Sequence, residues 1–293
     1  MVTEKDRELD EDSSAAAQPL PYLGRSVRVV GDWRSVDSSE TPHEKNKRGE
    51  LGKPLYNWYF NRTSRDPLGR IATANTSADR HNTIEHVIAN APRGRVNPQR
   101  IEAADPQELT AHIKRVAKYL GASDVGIMQV HPSFLYAEGR YPDDGTGAAA
   151  PDSDPIPAAE TAKRFPYAIA LVYAWDYEMG KAHRHRIGDT AYHLGAEVLR
   201  ATYANLAAHI RDLGYSVAQR VATSMPVALA AGLGEMGRHG MLITEKFGAR
   251  VHLGDPILTD MPLVADKPID IGVADFCQVC RKCVNTCPTN SIT

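Results

Sequence analysis

The first 276 residues of the chain contain no cysteine, and all four cysteines lie between Cys277 and Cys287. A disulfide framework distributes its cysteines so that they join distant parts of a fold, and it is typical of small secreted domains. The clustering therefore argues against disulfides and indicates a metal site near the end of the sequence.

Long apolar runs and an excess of one charge are also absent. No stretch approaches the ~18 or more apolar residues of a membrane-spanning helix, so we predict no membrane segment. Lys and Arg number 34 against 36 Asp and Glu, a formal net charge of -2. That balance argues against a protein held on nucleic acid mainly by bulk basicity, although it leaves a local basic groove open. We predict no nucleic-acid partner.

The beginning of the sequence, MVTEKDRELDEDSS, has neither an apolar core nor paired arginines. Export signals need one or both of these features, so we predict a cytoplasmic protein. The composition, 42% hydrophobic and 24% charged, is that of a globular protein rather than a disordered one.

Patterning divides the 293 residues into three predicted parts. Residues 1–50 are polar, and we interpret them as a mobile arm that contacts a partner or the protein's own body. Residues 51–270 are predicted to form the main domain, irregular up to residue 104. Residues 271–293 carry the cysteines.

Helical and strand patterns alternate from residue 105 onwards. Asp105, Pro106 and Glu108 supply an N-cap, a proline at the first helical position and a capping-box acid, and Gly121 suits the end of that helix. Further elements are predicted as strands over 125–130, 167–173 and 217–221 and as helices over 190–213 and 226–231. The continuous apolar run 167–173 is typical of a strand buried on both faces. The alternation predicts an α/β fold.

The cysteines form a C-x2-C-x2-C-x3-C-P run, which is the ligand spacing of bacterial ferredoxins. Two-residue gaps in a tight turn bring successive thiolates to one cluster, and iron favours such soft ligands. We therefore predict that Cys277, Cys280, Cys283 and Cys287 ligate [4Fe–4S] iron. Zinc is the alternative, although zinc sites usually pair two C-x-x-C hooks across a longer gap.

The fourth cysteine leaves two interpretations open. In two-cluster ferredoxin folds the last cysteine of this run ligates the other cluster. Either the sequence stops inside such a two-cluster domain, which we favour, or Cys287 closes a single cluster locally. The motif predicts iron–sulfur binding but no particular reaction.

Residues 232–263, GLGEMGRHGMLITEKFGARVHLGDPILTDMPL, together with the cysteine run resemble the reductive dehalogenases. These are corrinoid and iron–sulfur enzymes related to epoxyqueuosine reductase. The resemblance covers roughly residues 105–293 and is most specific over 232–288. It implies a nitroreductase-like, cobalamin-binding α/β core over 51–270, followed by the first half of a [4Fe–4S] ferredoxin-type domain over 271–293.

The resemblance also implies an activity. Members of this family cleave a carbon–halogen bond of an organohalide on cobalamin, with electrons delivered singly through [4Fe–4S] clusters. The expected partners are a small organohalide substrate and an electron donor such as a ferredoxin or flavodoxin with its reductase. Because the second cluster motif is not in this sequence, catalysis by the chain alone is in question.

Two catalytic residues follow from the family pattern. A tyrosine after the buried core strand supplies a proton to the carbon, and a basic residue about 60 positions later, in a G-E-x-G-R/K context, favours its phenolate. Tyr177 matches the first position and Arg238 the second, 61 residues on. The alternatives are a packing tyrosine at a strand end and an arginine that caps a helix or pairs with Glu235.

The glycine-spaced stretch GLGEMGRHG is not a dinucleotide loop, because no strand directly precedes it. Under the resemblance, a glycine here lets the backbone approach the corrin ring closely, since it has no Cβ. We therefore predict corrinoid contacts at Gly237, His239 and Thr244. His239 equally suits a surface or core histidine.

Two other functions are weighed against dehalogenation. Epoxyqueuosine reductase, which acts on a tRNA base, needs an acid shortly before the glycine stretch, and no Asp or Glu occurs from Leu213 to Gly234. An iron–sulfur electron carrier without corrinoid would not need so long an α/β body.

Overall fold

The computed structural model describes residues 21–29, 33–53, 95–102, 105–139, 146–147, 154–181, 186–287 and 290–293. Its helices are α1 (Pro42–Lys47), α2 (Pro106–Tyr119), α3 (Ala158–Arg164), α4 (Tyr177–Lys181), α5 (Arg186–Asp212), α6 (Ser224–Ala230), α7 (Val273–Cys280) and α8 (Lys282–Thr286). Its strands are β1 (Asp124–Gln129), β2 (Glu138–Gly139), β3 (Thr146–Gly147), β4 (Ile156–Pro157), β5 (Tyr167–Ala174), β6 (Val217–Gln219), β7 (Glu235–Met236), β8 (Leu242–Ile243), β9 (Val251–Leu253) and β10 (Ile257–Thr259).

The larger sheet among the described residues has six strands in the order β1-β5-β10-β6-β3, with β9 also paired to β5. β5 pairs antiparallel with β1 along its length, with β10 at its beginning and with β9 at its end. The predicted buried strand is confirmed, because residues 168–172 are all buried. Their side chains alternate between two hydrophobic clusters, as a strand between two layers requires.

Helices cover both faces of this sheet. α2 and α5 pack on one face, where Ile113, Leu206 and Ile210 are fully buried. α6 and α3 pack on the other face. The predicted start of α2 is confirmed, since the Asp105 carboxylate accepts a hydrogen bond from the Gln107 N–H at 2.8 Å.

The described part of residues 1–50 lies on the protein's own body, which was one of the two predicted alternatives. Leu23 is buried in the core, and the Ser26 hydroxyl accepts a hydrogen bond from the Met236 N–H at 3.1 Å. Val36 forms a bridge with Tyr136. The domain boundaries at residues 50 and 270 stay predictions, and residues 54–94 lie outside the described part.

No helix in the described ranges is long and apolar enough to cross a membrane.

The contact between β1 and the end of α6 leaves no room for a side chain at Gly126. A Cβ atom there would lie 2.3 Å from the carbonyl oxygen of Ala231. We expect Gly126→Ala to lower the free energy of unfolding by about 1–3 kcal/mol, the usual cost of overpacking, in a urea titration. Gly180→Ala is the matched control, because its Cβ would be 3.6 Å from the nearest side chain. An equal loss in both variants would contradict this packing.

Candidate active site and cysteine segment

Tyr177 lies at the first residue of α4, where the chain leaves β5. The Asp176 carboxylate starts this helix by accepting a hydrogen bond from the Met179 N–H at 2.8 Å. The Tyr177 ring is 59% exposed. The Lys181 ammonium lies 4.4 Å from the ring centroid and the Arg250 guanidinium carbon 5.7 Å from it. Two cations therefore lie over the ring of the predicted proton donor.

Arg238, the predicted partner of Tyr177, contacts the cysteine segment. Its Nε donates to the Cys277 carbonyl at 3.3 Å and its Nη1 to the Thr293 carbonyl at 2.6 Å. Among the described residues, none that Arg238 contacts is also in contact with Tyr177. The pairing of Arg238 with Tyr177 therefore stays a prediction. Neither Lys181 nor Arg250 was predicted from the sequence, although Lys181 lies four residues after Tyr177, where helical side chains meet.

A cavity of about 120 Å³ lies next to Tyr177 in the chain. Its lining includes Trp175, Tyr192, Met225, Leu242, Val251 and His252. The backbone N–H of Trp175 donates to the Arg250 carbonyl at 3.1 Å, so the two segments that hold Tyr177 and Arg250 also form a cavity wall. An apolar cavity of ~150 Å³ holds a single benzene molecule, so this somewhat smaller one has the size for a small molecule and is far too small for a corrin macrocycle.

His252 contributes a titratable imidazole to the lining of this cavity. Burial first, and then the charges of Arg200 and His193, lower the pKa of the His252 imidazole to about 4. The ring is therefore neutral at pH 7. Its Nδ1 is buried without a hydrogen-bond partner among the described residues, and its centroid lies 4.6 Å from that of Tyr192. The ring can accept or donate one hydrogen bond to a ligand.

The lowered pKa of His252 predicts a pH dependence of stability. The unfolded chain takes up the proton near pH 6.5, whereas the folded chain resists it down to about pH 4. We expect the free energy of unfolding to fall by up to about 3 kcal/mol as the pH drops through this window. His252→Asn, measured by urea titration at several pH values, should remove that part of the pH dependence. The same slope in both proteins would contradict the assignment.

A bulge separates β9 from β10, because three residues oppose two of β5. The bulge contains Asp255, which is solvent-exposed as a residue. Desolvation by the surrounding protein nevertheless raises the pKa of its carboxyl, although the charges of Arg220 and Arg200 act to lower it. We conclude that Asp255 lies in a recess. Tyr203 Oη and Gln219 Nε2 are buried nearby without hydrogen-bond partners among the described residues. Such atoms are usually satisfied by water or a ligand.

The predicted corrinoid contacts all have local roles in the structure. A Cβ on Gly237 would lie 2.7 Å from His239 Cε1, so the glycine is needed for packing within the β7–β8 hairpin. His239 Nδ1 accepts a hydrogen bond from the Met241 N–H at 3.1 Å. The Thr244 hydroxyl closes the next turn by bonding the Gly248 carbonyl and the Phe247 N–H, both at 3.1 Å. Their contact with a corrinoid stays a prediction.

The four cysteines form no disulfide and are distributed over α7, α8 and the residue after α8. Arg281, with a left-handed φ of 44°, separates the two helices. Within the described ranges, no three His, Cys, Asp or Glu side chains lie close enough together to hold a metal ion. The donor set suits iron–sulfur chemistry, but the structure does not gather the thiols, so ligation stays a prediction.

No protein-family model matches the chain. Among curated proteins, it is 37% identical to the tetrachloroethene reductive dehalogenase of Desulfitobacterium hafniense over 127 residues, 42% of this chain and 23% of the relative. It is 31% identical to the Sulfurospirillum multivorans enzyme of the same name over 219 residues, 66% of this chain and 42% of the relative. It is 30% identical to the epoxyqueuosine reductase of Aliivibrio fischeri over 209 residues, 64% of this chain and 54% of the relative.

Solved structures give the same picture. A catabolic reductive dehalogenase, NpRdhA, matches 89% of this chain with a TM-score of 0.66 at 25% identity. The chain covers 36% of that structure, and it spans less than half the length of the dehalogenases named above. The predicted α/β fold class is confirmed by this match.

Proposed function

We propose that this chain, which is related to the reductive dehalogenases and epoxyqueuosine reductases, forms the catalytic part of a reductive dehalogenase. The predicted resemblance is confirmed by these relatives. The observation that carries the proposal is the position of Tyr177, which lies under two cations and follows Trp175, a residue of the cavity lining, by two positions in the chain. The reaction is the replacement of a halogen on an organohalide carbon by hydrogen, with two electrons and one proton.

The chain's own residues supply binding and the proton. The apolar walls of the cavity favour a weakly hydrated organohalide and exclude water. The His252 ring, which is neutral there, has a buried nitrogen without a hydrogen-bond partner among the described residues and can bond a ligand through it. Tyr177 donates its phenolic proton to the carbon, and Lys181 and Arg250 stabilise the negative charge left on its oxygen.

The cofactors of the proposal are a corrinoid and [4Fe–4S] iron. One solved relative, matched with a TM-score of 0.65, is described as performing B12-dependent dehalogenation. A bound corrinoid would supply a strongly reducing metal centre for breaking the carbon–halogen bond. Gly237, His239 and Thr244 are the predicted contacts, and the unpartnered atoms of Tyr203 and Gln219 beside the bulge suit a ligand rich in amides.

Cys277, Cys280 and Cys283 hold the first cluster in this proposal, and Cys287 serves either the same cluster or a second one. A bound cluster would supply single-electron transfer, with a ferredoxin- or flavodoxin-type protein as the donor. Zinc stays the alternative metal. Cytoplasmic location and the identity of the donor stay predictions.

Anaerobic reconstitution with iron, sulfide and a corrinoid, followed by a halide-release assay, tests this function. We expect halide release from a panel of haloalkenes and halophenols only when reductant and corrinoid are both present. Epoxyqueuosine-containing tRNA is the discriminating second substrate, because no acid lies between Leu213 and Gly234. Conversion of the tRNA without halide release would replace the proposed function by the alternative one.

A further inference from the structure

Glu235, in β7, is a fully buried acid whose partners lie far away in the sequence. Its side chain is 0% exposed. Oε2 accepts hydrogen bonds from the N–H groups of Ile271 at 2.7 Å and Val273 at 3.1 Å. Val273 is the first residue of α7, so this carboxylate satisfies the free amides at the beginning of the cysteine-bearing helix.

The helix has no cap of its own. The residue before it, Gly272, has no side chain and a φ of 81°. The first amides of a helix need an acceptor, which is usually the side chain of the preceding residue. Glu235 supplies it from the core instead, and a negative group at a helix N-terminus is favoured by the helix dipole.

The segment around Glu235 holds the cysteine segment at other points as well. Arg238, three residues on, donates to the carbonyl of Cys277. A Cβ on Gly232 would lie 2.4 Å from the Lys267 carbonyl, so the two backbones touch just before this point. The region from Gly232 to Arg238 is therefore a contact through which the core orients α7.

A cap needs only one acceptor oxygen, yet Glu235 has a second. Oε1 is buried without a hydrogen-bond partner among the described residues. Leaving a buried polar atom unpaired is costly, so the acid is a poor choice for packing alone. Its charge acts on the helix that carries Cys277 and Cys280, and the potential of an iron–sulfur cluster depends on nearby charge and on hydrogen bonds.

We propose that Glu235 is a positioning residue for the iron–sulfur centre. Its hydrogen bonds to Ile271 and Val273 fix α7 on the core, and its buried charge keeps the reduction potential of the cluster low. The second statement rests on the proposed function, because it requires that the cysteines bind a cluster.

Two variants separate the hydrogen bonds from the charge. Glu235→Ala removes both, whereas Glu235→Gln has nearly the same shape and keeps an acceptor oxygen without the charge. Asp275→Asn is the matched control. Asp275 lies two residues before Cys277, but it is exposed and its described ion pair is with Arg25 at 3.2 Å.

The reconstituted full chain is studied by amide hydrogen exchange and by an EPR-monitored redox titration. In Glu235→Ala we expect the Ile271 and Val273 amides to exchange about tenfold faster or more, as for a lost hydrogen bond to a charged acceptor. We also expect a more positive midpoint potential at unchanged iron content. Glu235→Gln should restore amide protection but keep the positive shift. Asp275→Asn should retain protection and shift the potential less, because solvent screens an exposed charge.

Wild-type exchange and potential in Glu235→Ala would overturn the proposal, as would an equal potential shift in Asp275→Asn and Glu235→Gln. If the wild-type chain takes up no iron, the proposed iron–sulfur function fails by itself. Amide exchange then still decides whether Glu235 anchors α7. Unprotected Ile271 and Val273 amides in the wild-type chain would overturn the anchoring.

Discussion

Tyr177→Phe should reduce halide release by a factor of roughly 10²–10⁴, the usual contribution of a positioned general acid. Phenylalanine keeps the aromatic ring under Lys181 and Arg250, so the local packing is retained while the proton is lost. Corrinoid and iron content should therefore not change. The measurement is the rate of halide release with excess reductant, beside cofactor absorbance.

Tyr119→Phe is the matched control for this substitution. Tyr119 is 89% exposed at the end of α2, so the same chemical change there should leave turnover unchanged. Turnover at the wild-type rate in Tyr177→Phe would remove Tyr177 from the mechanism. Equal losses in both variants would point to a general effect of the substitution rather than to proton donation.

The second large effect is expected at the cysteines. Cys280→Ser should lose most of the iron of the reconstituted chain and its visible absorbance, because serine is a poor ligand for this cluster and the position lies in the middle of the ferredoxin run. Halide release driven by a ferredoxin-type donor should then stop. Iron, sulfide and zinc are measured per chain.

Cys287→Ser is the informative comparison. If Cys287 belongs to a second cluster, as we favour, its replacement should leave more iron than that of Cys280. Equal losses would show that Cys287 closes the same cluster. Zinc at the four thiols, with no sulfide, would contradict the iron–sulfur prediction itself.

Local signals predicted the longer elements of this fold. The Asp105 cap, Pro106 and Glu108 predicted the start of α2, and the apolar run predicted β5 as a buried strand. The three-residue strands β9 and β10 were not predicted. β9 is a strand because it pairs with β5, and β10 because it pairs with β5 and β6. Such pairing is not encoded in a window of a few residues.

The site was predictable to the same extent. A family pattern predicted roles for Tyr177 and Arg238, and ligand spacing predicted a role for the cysteines; the structure describes where each of these residues lies. The family pattern did not locate Arg250, which reaches Tyr177 because β9 pairs with the end of β5. The pattern also did not locate the hydrogen-bond partners of Glu235. These lie 36 and 38 residues away and depend on how the cysteine segment folds back on the core.

The central claim is that one chain binds both a corrinoid and an iron–sulfur cluster. The most direct test is the cobalt, iron and sulfide content of the anaerobically reconstituted, desalted chain, with the corrinoid and cluster spectra recorded on the same sample. We predict that corrinoid and cluster remain bound together to the wild-type protein. Retention of iron and sulfide with no retained cobalt would contradict the claim and would favour an electron carrier.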